Sequence, residues 1–524
     1  MRLIDITILE TSDIHGQINP IHYATNEQAS YGLARIATLV KEERAHSNHV
    51  ILIDNGDLIQ GTPFIYHYSK LQSEQPNPMI LAANKMNYDV AVLGNHEFNY
   101  GLDTLNRAIQ ESKFPWLSAT ILDKRTNEPY FGKPYVIKEL EGGIRVAILG
   151  LTTPYIPYWE KEEHIEGLSF LDAVEAAKRW VPYLKERAEL VIVSYHGGFE
   201  RDVETGEPTE ALTGENQGFQ LCEEVPAIDV LLTGHQHREL SGKTINGVLI
   251  LQPGSKGTAL GKVTVKMQLN KEGQWTILNK CSELIEASKA EADIEIEQLV
   301  HNYEIAVQSW LDQPIGNIQG DMTVHDPMEI RLKDSSLIRF INEIQMEAAG
   351  TDISNTALFS NDAPGFPERV TMRDVMANYI YPNTLKVLRI SGQDIRDALE
   401  QSASYFEQYD GKVVRVNRAF SNPKPQHYNY DMWAGIEYEM NISRPIGERI
   451  LKLEYKNQPM NLDKQFDVVM NNYRAGGGGN YFMYRNKPVV KEIPIDMSEL
   501  IADYFLKHRM IKAKTANGWR VIHD

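Results

Sequence analysis

The sequence predicts an α/β protein of two domains joined by a helix, on three observations. Short β-branched runs alternate with amphipathic helical stretches through the first half. A polar, Ala- and Glu-rich stretch with helical spacing comes next, and a second alternating region begins after Gln313-Pro314. At 524 residues, 42% hydrophobic and 24% charged, the chain also exceeds what one core serves, since single cores stop growing at roughly 250–300 residues.

In the first domain, expected over residues 1–280, strands are predicted at Ile4 to Leu9, Val50 to Ile53, Val90 to Leu93, Val146 to Leu149, Leu190 to Val193, Val230 to Leu232 and Val248 to Leu251. Helical spacing marks Tyr31 to Ala45, Leu102 to Glu111 and Leu171 to Arg187. A linker helix is expected over residues 281–312, where from Glu283 to Leu311 the residues Ile296, Leu299, Val300, Tyr303, Val307 and Trp310 fall on one face. The second domain, residues 313–524, should contain a strand at Lys386 to Ile390, a turn at Ser391-Gly392-Gln393, a helix from Asp394 to Ser402, and strands at Ile436 to Met440 and Phe466 to Met470. No internal repeat or long low-complexity segment interrupts this pattern.

The formal net charge of −18, with no Lys/Arg-rich stripe, argues against polymeric nucleic acid as partner, because such binding draws on phosphate neutralisation. A small phosphorylated substrate remains compatible, since bound metal ions invert the local field of an acidic protein. With only Cys222 and Cys281, no disulfide framework organises the fold, and two cysteines argue against cysteine ligation of zinc. Met1-Arg2 runs at once into Leu3-Ile4-Asp5-Ile6-Thr7-Ile8-Leu9, a strand pattern rather than a signal-peptide apolar region, and no run approaches the ~18 apolar residues of a membrane span. The expectation is a cytoplasmic protein without membrane attachment; a secreted or periplasmic chain trimmed of its leader would look the same.

The chemistry lies in the segments at the ends of the first-half strands: Asp13-Ile14-His15, Gly56-Asp57, Gly94-Asn95-His96-Glu97, Tyr195-His196-Gly197 and Gly234-His235-Gln236-His237. Ligands of open α/β sheets gather at the carboxyl ends of strands, so these segments can converge. Among 15 histidines any single one is more often a surface or core side chain than a ligand, and an Asp or Asn after a strand is more often a turn former. The ordered combination is what carries weight. Carboxylate and amide oxygens with imidazole nitrogens suit hard or borderline divalent ions. A carboxylate between two ions can bridge them, and two metals ~3.5–4 Å apart can clamp a phosphoryl group and activate water, which makes phosphate-ester hydrolysis the natural reaction.

This order of motifs resembles the calcineurin-like metallophosphoesterases, and within them the two-domain 5′-nucleotidase family, over nearly the whole chain. The resemblance implies an N-terminal αββα sandwich and a C-terminal α/β (α+β) nucleotide-specificity domain. It also implies two divalent metal ions, one held by Asp13, His15, Asp57 and His237 and the other by Asp57, Asn95, His196 and His235, with Asp57 as bridge. Mn, Zn, Fe and Mg all accept this mixed N/O set. His96 would stand outside the metals, polarising the ester or protonating its leaving group.

The 5′-nucleotidase branch carries an Asp three positions after the catalytic His, whereas this chain has Asn99. An amide can orient the His96 imidazole but cannot stabilise imidazolium by charge. Asp54-Asn55-Gly56-Asp57-Leu58-Ile59-Gln60-Gly61, Asn99-Tyr100-Gly101-Leu102, Tyr381-Pro382-Asn383-Thr384-Leu385 and Asn471-Asn472-Tyr473-Arg474-Ala475 are similar to the 2′,3′-cyclic-nucleotide 2′-phosphodiesterase/3′-nucleotidase branch. The resemblance therefore implies a small nucleotide substrate, a cyclic-nucleotide phosphodiesterase with 3′-nucleotidase activity as first expectation, and a 5′-nucleotidase or nucleotide-sugar hydrolase as its rival. A non-catalytic nucleotide-binding protein is the third reading, disfavoured because every ligand is present.

In the family's second domain two aromatic rings sandwich the base, an interaction worth about 1–3 kcal/mol per base. Tyr473 falls where one ring is expected, and Tyr428, Tyr430 and Trp433 are candidates for the other, each equally readable as a core side chain. The run Gly476-Gly477-Gly478-Gly479 either permits close ligand approach or forms a flexible loop. The Asp that the nucleotidase branch uses in this loop to hold the nucleoside is missing, the aligned position falling at or near Gly479.

Overall fold

Apolar side chains on both faces of a strand specify burial between two layers, and the β-branched runs of the first half obey this. They form β1 (Leu3–Thr11), β2 (Val50–Asp54), β3 (Val90–Val92), β4 (Trp116–Leu117), β5 (Tyr135–Leu140), β6 (Ile144–Thr152), β7 (Leu190–His196), β8 (Val230–Thr233), β9 (Glu239–Ile245), β10 (Val248–Pro253), β11 (Ala259–Leu269) and β12 (Trp275–Glu286). The computed structural model describes residues 2–524 except Ala211, Ile380, Pro382, Pro423, Pro494, Thr515 and Ala516. It divides into two compact units, one ending at Val307 and one spanning Gln308–Asp524.

The first unit holds two six-stranded sheets, ordered β12-β11-β1-β2-β3-β4 and β9-β10-β8-β7-β6-β5. Strands β1 to β4 are mutually parallel, as are β6, β7, β8 and β10, while β5 and β9 pair antiparallel at the edges of the second sheet and β11 pairs antiparallel with both β1 and β12 in the first. The period of two along each strand sorts the core. Val146 and Ile148 of β6 face the first sheet and meet Ile6, Ile8, Ile53 and Val92, whereas Ala147 and Leu149 turn to the helical side and meet Val174, Ala177 and Val181.

Helices cover both outer faces: α1 (Leu33–His46) lies against β11, α5 (Ala173–Lys185) against β6 and β7, and α6 (Gly218–Glu224) against β8. Between α1 and α4 (Gly101–Glu111), two helices absent from the sequence expectation appear, α2 (Pro63–Leu71) and α3 (Pro78–Met86). Each starts with proline, whose fixed φ suits the first helical position, behind a capping side chain: Thr62 accepts from the Ile65 N–H and Asn77 from the Met79 N–H. The result is the expected helix–sheet–sheet–helix sandwich.

The chain beyond β10 departs from expectation. Residue 280 lies inside β12, which pairs with β11 as far as Glu286 opposite Ala259, so Glu283 to Glu286 are strand rather than helix. The connecting helix is α7 (Ile294–Leu311). Ile296, Val300 and Val307 are buried as expected, but Leu299 is 38% exposed, at the margin of the stripe.

In the second unit α8 (Ser336–Ala349) packs on β13 (Ile353–Ala357), and β14 (Leu385–Ser391), β15 (Asp431–Ala434), β16 (Gln465–Asn471) and β17 (Val489–Ile493) complete a sheet ordered β15-β13-β16-β14-β17. Strand Glu437–Asn441, also anticipated, belongs to a separate four-stranded sheet. The expected turn at Ser391 to Gln393 is the start of α9 (Gly392–Ala403): Ser391 Oγ accepts from the Asp394 N–H at 3.1 Å and Asp394 Oδ2 accepts from the Ser391 N–H at 2.9 Å, a capping box.

Ile148 is fully buried between the sheets of the first unit, whereas Leu278, on the edge strand β12, is 55% exposed. Ile148→Ala should lower the unfolding free energy by about 2–5 kcal/mol in denaturant titration and Leu278→Ala by less than ~0.5 kcal/mol. Equal effects would contradict the two-sheet core.

Candidate metal centre

Because β1 to β3 are parallel in one sheet and β7 and β8 in the other, their carboxyl ends share an edge within each sheet. Asp13 and His15 follow β1, Asp57 follows β2, Asn95 and His96 follow β3, His196 ends β7, and His235 and His237 follow β8. Five of these adopt left-handed backbone conformations that non-glycine residues seldom take: Asp13 (φ 53°), His15 (51°), Asp57 (57°), His235 (66°) and His237 (57°). Backbone hydrogen bonds that continue beyond the sheet hold the first two loops in register, from Asp13 N–H to Gly56 O (2.9 Å), His15 N–H to Asp57 O (2.8 Å) and Gly16 N–H to Leu58 O (3.0 Å).

Two groups of donor atoms result, Asp13, His15 and His237 in one and Asp57, His196 and His235 in the other, each within 4.8 Å internally. In the first, His15 Nε2 and His237 Nε2 stand 3.0 Å apart and His237 Nε2 is 3.4 Å from Asp13 Oδ1. In the second, Asn95 Oδ1 lies 3.2 Å from His196 Nε2 and 2.9 Å from His235 Nδ1. Asp57 Oδ2 reaches both groups, 3.2 Å from His196 Nε2 and 3.8 Å from His15 Nε2.

The arrangement fits a divalent cation, because the outward-facing ring nitrogens of His15, His196 and His235 are engaged elsewhere. His15 Nδ1 donates to Gln60 O (3.1 Å), His196 Nδ1 to Asn55 O (2.7 Å) and His235 Nε2 to Glu215 Oε1 (3.0 Å), so the remaining ring nitrogen of each faces the centre, where that of His196 becomes a ligand once a cation displaces its proton. Burial pushes His15 down to about 3. Burial also opposes charge on His196, but Asp57 and Asp13 prevail and hold it up to about 10. Burial likewise opposes charge on Asp13 and Asp57, yet His237 and His196 respectively keep them below the ordinary carboxylate range.

Glu97 organises this loop cluster, its carboxylate accepting from the N–H groups of Gly94 (2.6 Å), Asp57 (2.8 Å) and Leu58 (2.7 Å). Gly94 is fixed by crowding: a Cβ there would come within 2.5 Å of Asp57 N and 2.8 Å of His196 Cε1. His96 stands beside the two groups, its ring 5.3 Å from that of His15, and its Nδ1 donates to Asn99 Oδ1 at 2.7 Å. The roles of Glu215, Gln60, Asn55 and Glu97 emerge only from the structure. Gln60, Asn55 and Glu97 sit within motifs that the sequence displays, whereas nothing local marks Glu215.

In the second unit, Tyr473 follows β16 and Tyr428 lies beside it, both half-buried, with ring centroids 6.4 Å apart and planes crossed at 72°. Tyr430 and Trp433 are corrected as base-stacking candidates: Tyr430 is fully buried with its OH donating to Arg331 O (2.8 Å), and Trp433 is 2% exposed in β15, paired opposite Asn355. In the glycine run Gly477 and Gly479 are left-handed and Gly478 lies tight against the Tyr473 ring. Of the Tyr381-Pro382-Asn383 motif, Pro382 lies outside the described residues.

Residues 6–239 match the family described as calcineurin-like phosphoesterase, and residues 314–486 match the 5′-nucleotidase C-terminal domain. A putative 5′-nucleotidase from Staphylococcus aureus, solved in complex with alpha-ketoglutarate, is 34% identical, with a TM-score of 0.91 over 99% of this chain and 100% of that one. The 2′,3′-cyclic-nucleotide 2′-phosphodiesterase/3′-nucleotidase of Yersinia enterocolitica is 28% identical across 99% of this chain and 88% of its own length. The trifunctional nucleotide phosphoesterase protein YfkN of Bacillus subtilis is also 28% identical across 99% of this chain, which spans 39% of that longer protein. The chain belongs to the two-domain 5′-nucleotidase family of calcineurin-like phosphoesterases, metal-dependent hydrolases of phosphoric esters that act on small nucleotides.

Proposed function

We propose that this chain opens 2′,3′-cyclic nucleotides and then removes the 3′-phosphate, using two divalent ions. The observation that carries the reading is the Asp57 carboxylate, whose Oδ2 lies within 3.2–3.8 Å of imidazole nitrogens from both donor groups. Asp13, His15, Asp57 and His237 would hold one ion, and Asp57, Asn95, His196 and His235 the other. Such ions, when bound, polarise a phosphate ester and acidify water. The residues themselves do the rest: the outward hydrogen bonds of His15, His196 and His235 turn their other ring nitrogens inward, and His96, with Nδ1 engaged by Asn99, keeps Nε2 for the ester oxygen or its leaving group. In the second unit, Tyr473 and Tyr428 would contact the base.

The substrate class is supported by whole-length similarity to proteins named for cyclic-nucleotide and 3′-nucleotide hydrolysis. The S. aureus relative, 34% identical and named a putative 5′-nucleotidase, favours a second reading, hydrolysis of 5′-nucleotides. Turnover of 2′,3′-cyclic AMP, 3′-AMP and 5′-AMP with Mn, Zn, Fe and Mg separates the two. The expected order puts the cyclic and 3′ substrates first, and a kcat/KM preference for 5′-AMP of about tenfold, ~1.4 kcal/mol, would replace the first reading with the second.

Asp57→Ala should lose both ions in metal analysis of purified protein, while His96→Ala should keep them and lose kcat by about 10²–10⁴-fold. Near-normal kcat in His96→Ala would remove its role.

Tyr473→Ala should raise KM for nucleotides by ~5–100-fold, the value of one lost stack, and leave KM for 4-nitrophenyl phosphate unchanged. A parallel rise for both esters would refute base contact.

A further inference from the structure

We propose that Glu160 is a positioning residue that acts on His96 through Asn99, a role that rests on the function given to His96 above. A neutral amide can turn either its oxygen or its nitrogen toward an imidazole, so Asn99 alone does not determine which His96 nitrogen carries the proton. Glu160 removes the ambiguity. Its carboxylate only accepts, and Oε2 takes a hydrogen bond from Asn99 Nδ2 at 2.6 Å. The amide oxygen is thereby aimed at His96 Nδ1, 2.7 Å away, which must donate and leave Nε2 facing the reacting ester. The bond to a carboxylate also polarises the amide, so that its oxygen carries more negative charge toward the imidazole than an isolated asparagine would.

Glu160 is itself held in place. Its side chain is 4% exposed, and its other oxygen, Oε1, accepts from Lys161 N–H (2.8 Å) and His164 Nδ1 (2.9 Å). The segment is tied to the metal centre on its other side, where the Trp159 ring stacks on His235 with centroids 5.4 Å apart and planes 25° from parallel. The two carboxylate oxygens thus divide their work: Oε1 fastens the segment, and Oε2 sets the amide.

That division makes the role separable from mere folding. In Glu160→Gln the new amide must keep its oxygen toward the Lys161 N–H and turns its nitrogen to Asn99, which reverses Asn99 and presents an N–H donor to His96 Nδ1. Asn99→Asp alone sets two carboxylates against each other. With both substitutions, the carboxylate introduced at position 99 accepts from the amide introduced at position 160 and from His96, and the relay regains its direction. In the metal-loaded enzyme, E160Q should lower kcat on a nucleotide by about tenfold with KM within about twofold, and leave 4-nitrophenyl phosphate, whose leaving group needs no proton, within about twofold. N99D should lose at least as much, and N99D/E160Q should recover to within about threefold of the parent. Parental kcat in E160Q, or a double variant no better than N99D, overturns the proposal. His96→Ala in the same assay reports separately on His96: equal loss on both esters would remove its leaving-group role, while rescue in N99D/E160Q would still assign Glu160 its action through Asn99.

Discussion

The first unit is organised around one carboxylate that water does not reach. Asp57 is 1% exposed, and a charge taken out of water costs several kcal/mol unless partners surround it. Its partners come from different strand ends: His196 from β7, the His96 N–H (2.8 Å to Oδ1) from the loop after β3, and His15 from the loop after β1. The loops can meet because both sheets present the carboxyl ends of parallel strands, and they must meet closely, as the crowding at Gly94 demonstrates.

Convergence at this density imposes backbone strain. Asp13, His15, Asp57, His235 and His237 all sit in left-handed conformations, each costing about 1–3 kcal/mol for a non-glycine residue. The hydrogen bonds between the loops after β1 and β2, those from the His235 N–H to the Asp13 carboxylate (3.0 and 3.1 Å), and the bond from the Lys256 N–H to Asp13 O (2.8 Å) over-determine those conformations. The strain aims donor atoms inward where an ordinary turn would aim them at solvent. Stability is thus spent in the loops and recovered in the sheet–sheet core beneath them.

How much of this is legible in the sequence depends on the range of each interaction. Strands β1, β2, β6, β7, β8 and β10 and their terminal motifs are legible because period, apolar runs and motif spacing are local. Helices α2 and α3 escape detection although Thr62-Pro63 and Asn77-Pro78 carry start signals, since their mixed Tyr, His, Asn and Lys content blurs the apolar stripe. The end of β12 reads as helix because Glu283-Leu284-Ile285-Glu286 lacks the alternation of a strand and runs on into the Ala- and Glu-rich stretch that does form a helix. Tyr428, Tyr430 and Trp433 are indistinguishable in sequence; only the packing of Tyr430 on Tyr405 and Phe406 consigns it to the core. Glu215 and Glu160 are invisible for a related reason: each lies on a loop without motif and gains its meaning from a partner 20 or 61 residues away.

The asparagine at 99 makes sense against the charge already collected at these strand ends. Asp13, Asp57 and Glu97 lie buried there, and two further carboxyls, Glu10 and Asp54, are pushed well above the ordinary carboxylate range by burial, with Asp13 adding to the upward push on both. A carboxylate at 99 would face that of Glu160 across the present 2.6 Å hydrogen bond, and would bring the carboxylates around His96 to three, since Asp57 Oδ1 already accepts from the His96 N–H. A neutral amide avoids that, and the carboxylate of Glu160, one hydrogen bond further out and balanced by His164 and the Lys161 N–H, supplies direction to the imidazole from a distance at which it competes less with Asp57 for the same positive charge.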